Sequence, residues 1–127
     1  MTDLKRILHV DDDRDIRDIA MLSLQHVGGF EVLQCASGQE AMEKAAGFDP
    51  QLFLFDVMMP EMSGDDLWAE FQTVPAFSDV PVIFMTAKVE RQYVEELMRK
   101  GALSVLEKPF DPITLSEDIT RIWNEQT

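Results

Sequence analysis

Four short apolar runs in the chain each end on a polar residue able to hold a metal ion or a phosphoryl group. Ile7-Leu8-His9-Val10 leads into Asp11-Asp12-Asp13, Leu52-Phe53-Leu54-Phe55 into Asp56, Val82-Ile83-Phe84-Met85 into Thr86, and Leu103-Ser104-Val105-Leu106 into Glu107-Lys108-Pro109. If these runs are parallel strands of one sheet, their carboxyl ends lie side by side, at the edge where open α/β sheets bind ligands. Asp56 closes a run with no polar residue between Gln51 and itself, a place where a carboxylate without compensation is costly. Asp11, Asp12 and Asp56 brought close together would repel and raise one another's pKa unless cations offset them. Lys108 and a bound Mg²⁺ are the two candidates, and together they balance the three negative charges. Mg²⁺ suits such a site because it takes few protein oxygens and keeps several waters. An ion held there beside an otherwise unoccupied carboxylate points to phosphoryl chemistry. Asp56 would be the in-line nucleophile, Thr86 a hydrogen-bond donor to the phosphoryl group, and Lys108 a balance for its charge. Asp13 reads as a helix N-cap.

The elements that must position these residues follow from periodicity. The first strand spans about Arg6 to Val10, and a helix from about Arg14 to His26 carries Ile16, Ile19, Ala20, Leu24 and Val27 inward until Gly28-Gly29 stops it. Phe30 to Cys35 is the second strand. Ser37-Gly38-Gln39-Glu40 is a capping-box pattern for a second helix ending near Gly47. Gln51 to Asp56 is the third strand, followed by the loop Val57 to Gly64. A third helix begins near Asp65-Asp66 with Leu67, Trp68 and Phe71 inward. Pro81 to Met85 is the fourth strand, and the fourth helix runs from about Val89 to Lys100. Glu95 with Arg99 and Glu96 with Lys100 are its favourable i,i+4 pairs, and Gly101 is its stop. Leu103 to Leu106 is the last strand, and Asp111-Pro112 opens a final helix carrying Ile113, Ile119, Ile122 and Trp123. Five βα units with strands too apolar to face water predict a doubly wound α/β fold, a parallel sheet with helices on both faces.

Length and composition bound the rest. The chain has 127 residues, enough for one domain and too few for two, and no linker or repeat divides it, so residues 1–127 are expected to form one unit. A net charge of −13 argues against nucleic acid and against anionic membrane surfaces. No apolar run approaches the roughly 18 residues of a membrane span, and no leader pattern follows Met1. Cys35 is the single cysteine, lies in an apolar run, and fits a reducing, cytoplasmic setting.

Together, Val10-Asp11-Asp12, Asp56 with Met59-Pro60 and Gly64 after it, Thr86-Ala87, and Lys108-Pro109-Phe110 resemble the receiver domain of two-component response regulators, in order and spacing, across essentially the whole chain. The resemblance implies a CheY-like, flavodoxin-like five-stranded sheet in the order 2-1-3-4-5. It implies that Asp56 accepts a phosphoryl group from the phosphohistidine of a histidine kinase or histidine phosphotransfer protein. Asp12, Asp56 and the backbone carbonyl of Met58 would ligate Mg²⁺, with Asp11 acting mainly through water, while Thr86 and Lys108 bind the phosphoryl oxygens. The family often has a cis peptide before the proline, which makes Lys108–Pro109 a candidate for one. A downstream protein target would use the face of the fourth helix, last strand and final helix. The expected state is a monomer or weak dimer, a switch rather than a turnover enzyme, with no DNA-binding output domain in this chain.

Three positions qualify that resemblance. Val105 stands where the family usually has Phe or Tyr, so signalling is expected to run mainly through the loop around Lys88. Met58 and Lys88 occupy the variable positions beside the attacking water, and with a methionine unable to hydrogen-bond that water the expectation is a fairly long-lived phosphoryl state. Met58, Met59 and Met62 read as loop packing before they read as a docking patch. His9 lies inside the first strand and reads as a core histidine or one that supports the pocket, rather than a phosphotransfer histidine. Two other classes fit less well. An aspartate-nucleophile phosphatase of the haloacid dehalogenase type needs an Asp where Met58 stands, and a flavodoxin-like binding module needs a phosphate cradle where the chain has Asp11-Asp12-Asp13.

Overall fold

Every residue of Leu52–Asp56 and of Val82–Thr86 is buried. Strands with no face toward water must lie inside a sheet covered on both sides. The computed structural model, which describes residues 3–87 and 90–126, has that arrangement. Its strands are β1 (Arg6–Val10), β2 (Glu31–Cys35), β3 (Leu52–Asp56), β4 (Val82–Thr86) and β5 (Ser104–Glu107). They alternate with α1 (Arg14–Met21), α2 (Gly38–Phe48), α3 (Gly64–Gln72), α4 (Arg91–Lys100) and α5 (Leu115–Glu125). All strand pairs are parallel, in the order β2-β1-β3-β4-β5. The register sets Val10 beside Phe55, Asp56 beside Met85 and Thr86 beside Glu107, so the polar strand ends share one edge.

Alternation along the strands divides the core in two. Leu8, Val10, Phe53, Phe55, Val82 and Phe84 face α2, α3 and α4. Ile7, Leu52, Leu54, Ile83 and Met85 face α1 and α5. The caps are largely those a reading of local chemistry selects. Asp13 caps α1, accepting from the N–H groups of Asp15 and Ile16. Ser37 caps α2, while Glu40 returns to the Ala36 N–H at 2.7 Å. Gly101 ends α4 at φ 114°, a conformation that side chains with a Cβ seldom adopt. No helix among the described residues is long and apolar enough to cross a membrane.

Two helix ends and one ion pair depart from the expected pattern. After Met21 the first helix widens into a π-helical segment, Leu22–Val27, in which the Gly28 N–H donates to the Ser23 carbonyl. The wider turn changes the phase after Met21, so Ser23 is buried with Leu24 while Val27, expected inside, is 61% exposed. Ile19, also expected inside, is exposed within the regular helix before it. The Ser116 hydroxyl of α5 donates to the same Ser23 carbonyl, and the two hydroxyls are 3.1 Å apart. At α5, the Asp111 carboxylate accepts from the Ile113 N–H at 2.8 Å in a turn that precedes the helix, which starts at Leu115 and leaves Ile113 exposed. In α4, Glu95 pairs with Arg91 at 3.0 Å, one turn earlier than expected, and Glu96 approaches Lys100 at 3.9 Å. The proposed helix start at Val89 and the loop position Lys88 lie outside the described residues.

Candidate functional site

Asp11 continues β1 past its last strand residue, its N–H donating to the Cys35 carbonyl at 3.1 Å. Its carboxylate is held at both oxygens, by the Asp13 N–H at 2.9 Å and by Lys108 Nζ at 3.1 Å. Asp56 ends β3 and meets the same ammonium at 3.1 Å. Asp12 is exposed, yet ligand oxygens of Asp11, Asp12 and Asp56 all lie within 4.8 Å of one another. Thr86 is fully buried at the end of β4, and its carbonyl accepts from the Lys108 N–H at 2.9 Å, which ties the lysine's main chain to the neighbouring strand end. The Lys108–Pro109 peptide is cis. Met58 is 67% exposed in a loop closed by a 3.0 Å hydrogen bond from the Gly64 N–H to the Val57 carbonyl. Met59 and Met62 instead pack against the core on the α2–α3–α4 side.

Gly64 explains how that loop approaches Asp56 so closely. A Cβ at this position would lie 2.2 Å from the Asp56 carbonyl oxygen, so any larger residue would push on the backbone that carries the carboxylate. Ser63 caps α3 through the Asp66 N–H at 3.3 Å, and the helix therefore starts at Gly64 itself.

The electrostatics show a cluster short of positive charge. Burial, then the neighbouring Asp11 carboxylate, pushes Asp56 up from 3.8 to about 6 against the pull of Lys108. Asp11 is raised as well, again by burial first, with Lys108 and the Asp13 N–H opposing. Burial draws the Lys108 pKa down, but its hydrogen bonds and attraction to Asp11 and Asp56 outweigh that and leave it raised. The folded chain thus holds the Asp56 proton more tightly than the unfolded one. Stability from this group is present at low pH and is lost as pH rises from 3.8 through about 6. Three close carboxylates with only oxygen donors and an unmet negative charge fit a hard divalent cation of the Mg²⁺ type.

Behind the cluster, His9 is fully buried, and burial followed by the charges of Lys108 and Arg17 lowers its pKa to about 3. That is the neutral core histidine expected from its place in the strand. Sequence reasoning did not single out Arg17 and Gln34. Arg17 Nη1 donates to the Asp11 carbonyl at 2.8 Å, and Gln34 Nε2 donates to the Arg17 carbonyl at 2.7 Å. The available signal was a glutamine after the apolar pair Val32-Leu33 of the second strand, together with a histidine inside the first. A groove of about 690 Å³ between Val27-Gly28 and α5 contains none of the site carboxylates.

Known proteins with this arrangement are numerous. The family described as the response regulator receiver domain matches residues 7–120. The chemotaxis protein CheY1 of Helicobacter pylori is 32% identical over 115 residues, which covers 90% of this chain and 93% of that protein. The response regulator SaeR of Staphylococcus epidermidis is 32% identical over 109 residues, covering 86% of this chain but 46% of SaeR. Among solved structures, the Vibrio cholerae chemotaxis protein CheY4 superposes with a TM-score of 0.85 at 30% identity, over 94% of this chain and 98% of that one. With sheet order, acidic cluster and family match in agreement, the chain belongs to the response regulator receiver domains of two-component systems.

Proposed function

We propose that this receiver, over residues 1–127, stores a regulatory phosphoryl group on Asp56. Receiver domains are signalling switches rather than turnover enzymes, they generally bind Mg²⁺ through an acidic cluster, and they exchange signals with histidine kinases or phosphotransfer proteins and downstream targets. The observation that carries the reading here is the convergence of Asp11, Asp12 and Asp56 within 4.8 Å, with Lys108 Nζ at 3.1 Å from two of them.

In this reading Asp12, Asp56 and the Met58 carbonyl hold Mg²⁺, with Asp11 joined through water. The ion supplies charge balance for the incoming phosphoryl oxygens. The Asp56 carboxylate oxygen attacks phosphorus, and the bond from phosphorus to the donor's imidazole nitrogen breaks as the acyl phosphate bond forms. Lys108 moves its contact from the free carboxylate toward a phosphoryl oxygen, and the Thr86 hydroxyl donates to another. A methionine at position 58 offers no hydrogen bond to a hydrolytic water, which favours a long-lived phosphoryl state. In this reading the protein meets its kinase in the cytoplasm, and it acts as a monomer or weak dimer. A protein target would read the state at the α4–β5–α5 face, where Val105 and Tyr93 pack against the same core.

The test is incubation with Mg²⁺ and acetyl phosphate followed by intact mass measurement. Wild type should gain one phosphoryl group, and Asp56→Asn should gain none. A wild type that stays unmodified, or an Asp56→Asn chain modified to the same extent, would overturn the reading.

A further inference from the structure

A closed ring of hydrogen bonds lies beneath the acidic cluster and joins three elements. Arg17, on α1, donates from Nη1 to the Asp11 carbonyl at 2.8 Å. Gln34, on β2, donates from Nε2 to the Arg17 carbonyl at 2.7 Å, and the same nitrogen lies 3.1 Å from Nδ1 of His9. His9 is on β1, two residues before Asp11, so the main chain closes the ring. A backbone carbonyl only accepts, which fixes the Gln34 amide with its nitrogen toward Arg17. The second N–H of that amide then donates to His9 Nδ1, which must carry no proton. His9 is thereby neutral with its hydrogen on Nε2. That nitrogen has no hydrogen-bond partner among the described residues, so the ring accounts for the imidazole's polar contact.

The ring ends on the peptide group that links Asp11 to Asp12. The plane of that peptide sets the direction in which Asp12 leaves the main chain. Both oxygens of the Asp11 carboxylate are already engaged, by Asp13 and Lys108, whereas the Asp12 side chain is exposed. We infer that Arg17, aligned by Gln34 and His9, is a positioning residue that aims the Asp12 carboxylate at the cation site. The inference rests on the receiver reading of Asp12 as a Mg²⁺ ligand and adds the residues that orient it. Partners of this kind, one shell behind a ligand, typically change metal affinity by about 10- to 100-fold.

The experiment compares wild type with Arg17→Met, Arg17→Lys and Gln34→Leu in the full chain. Mg²⁺ affinity is read from the amide shifts of Asp12 and Asp13 during titration, without any phosphodonor. Acetyl phosphate labelling then separates the Mg²⁺ needed for half-maximal rate from the rate at saturation, and long-range ¹⁵N correlations report the His9 tautomer. Arg17→Met should weaken Mg²⁺ binding by about 10-fold, with the saturated labelling rate within about twofold of wild type. Arg17→Lys, which keeps one donor, should recover part of the affinity. Gln34→Leu should weaken it less and release the His9 tautomer. Unchanged Mg²⁺ affinity in folded Arg17→Met and Gln34→Leu chains would overturn the proposal, as would a wild-type His9 protonated on Nδ1. If Arg17→Met does not fold, Arg17→Lys and Gln34→Leu decide by the same criterion. Failure of the receiver reading looks different: wild type would bind Mg²⁺ but Asp56 would remain unmodified.

Discussion

The two faces of the sheet are built from different interactions. On the α2–α3–α4 side, Phe53 stacks on Phe55 and Phe71 with ring centroids at 4.9 and 4.6 Å, and Phe77 meets Phe71 edge-on at 5.3 Å. On the α1–α5 side the core contains buried polar groups: the Ser23–Ser116 pair, and His9 with its bond to Gln34. Apolar burial is largely non-directional, so the first face supplies mainly cohesion, and its ring pairs add a weaker preference for geometry. Hydrogen bonds specify distance and orientation, so the second face fixes how α1, α5 and β2 sit relative to β1. It is also the side on which Asp11 and Asp56 lie by alternation along β1 and β3. The face with less stacking is the one that determines geometry at the carboxylates.

Truncation on the aromatic face should have the largest effect. Phe53→Ala removes the ring shared by three partners and should cost about 3–5 kcal/mol, measured by urea unfolding, with little dependence on pH. A loss below about 1 kcal/mol would mean that the stack is not the cohesive half. The second test addresses His9. The unfolded imidazole titrates at 6.5 and the folded one near 3, so the stability it contributes is present above 6.5 and lost as pH falls. Asp56 has the opposite slope over the same range, so the comparison is best made in Asp56→Asn chains with and without His9→Phe. Their stability difference should shift by about 2–3 kcal/mol between pH 6.5 and about 4.5, with His9→Phe the less acid-sensitive. Parallel pH curves would show that the imidazole is not held neutral. The smallest effect should come from Ser116→Ala, which takes one donor from the Ser23 carbonyl and should cost about 1–2 kcal/mol. Amide exchange should quicken across 22–28 and stay unchanged in α3. Equal acceleration on both faces would remove the distinction between them.

The polar strand ends were readable because a carboxylate or hydroxyl after four apolar residues is costly without a purpose, and the parallel arrangement follows from strands with no wet face. Capping by Asp13 and Ser37 and the stop at Gly101 were readable for a similar reason, since each is decided by one residue and its nearest neighbours. The π segment was not, because counting apolar positions at 3.6 residues per turn presumes the α-helix that Ser116, nearly a hundred positions later, helps to widen. Ile113 was misplaced because the Asp111 carboxylate forms a turn before the helix rather than capping the helix itself. Arg17 and Gln34 escaped notice because a strand glutamine and a helix arginine are ordinary on their own. Their importance appears only when β1 and β2 set His9 opposite Gln34.

The contact between Lys108 and Asp11 spans 97 residues of chain, and the one between Lys108 and Asp56 spans 52. During synthesis the acidic turn after β1 leaves the ribosome first and Asp56 follows, while the ammonium that both carboxylates share emerges well after both. Any partial sheet in which β1 pairs with β3 before β5 docks carries the two carboxylates without that ammonium. Fragments that stop before position 108 inherit the same imbalance. In such a topology, docking of the last strand and neutralisation of the charged cluster are the same step.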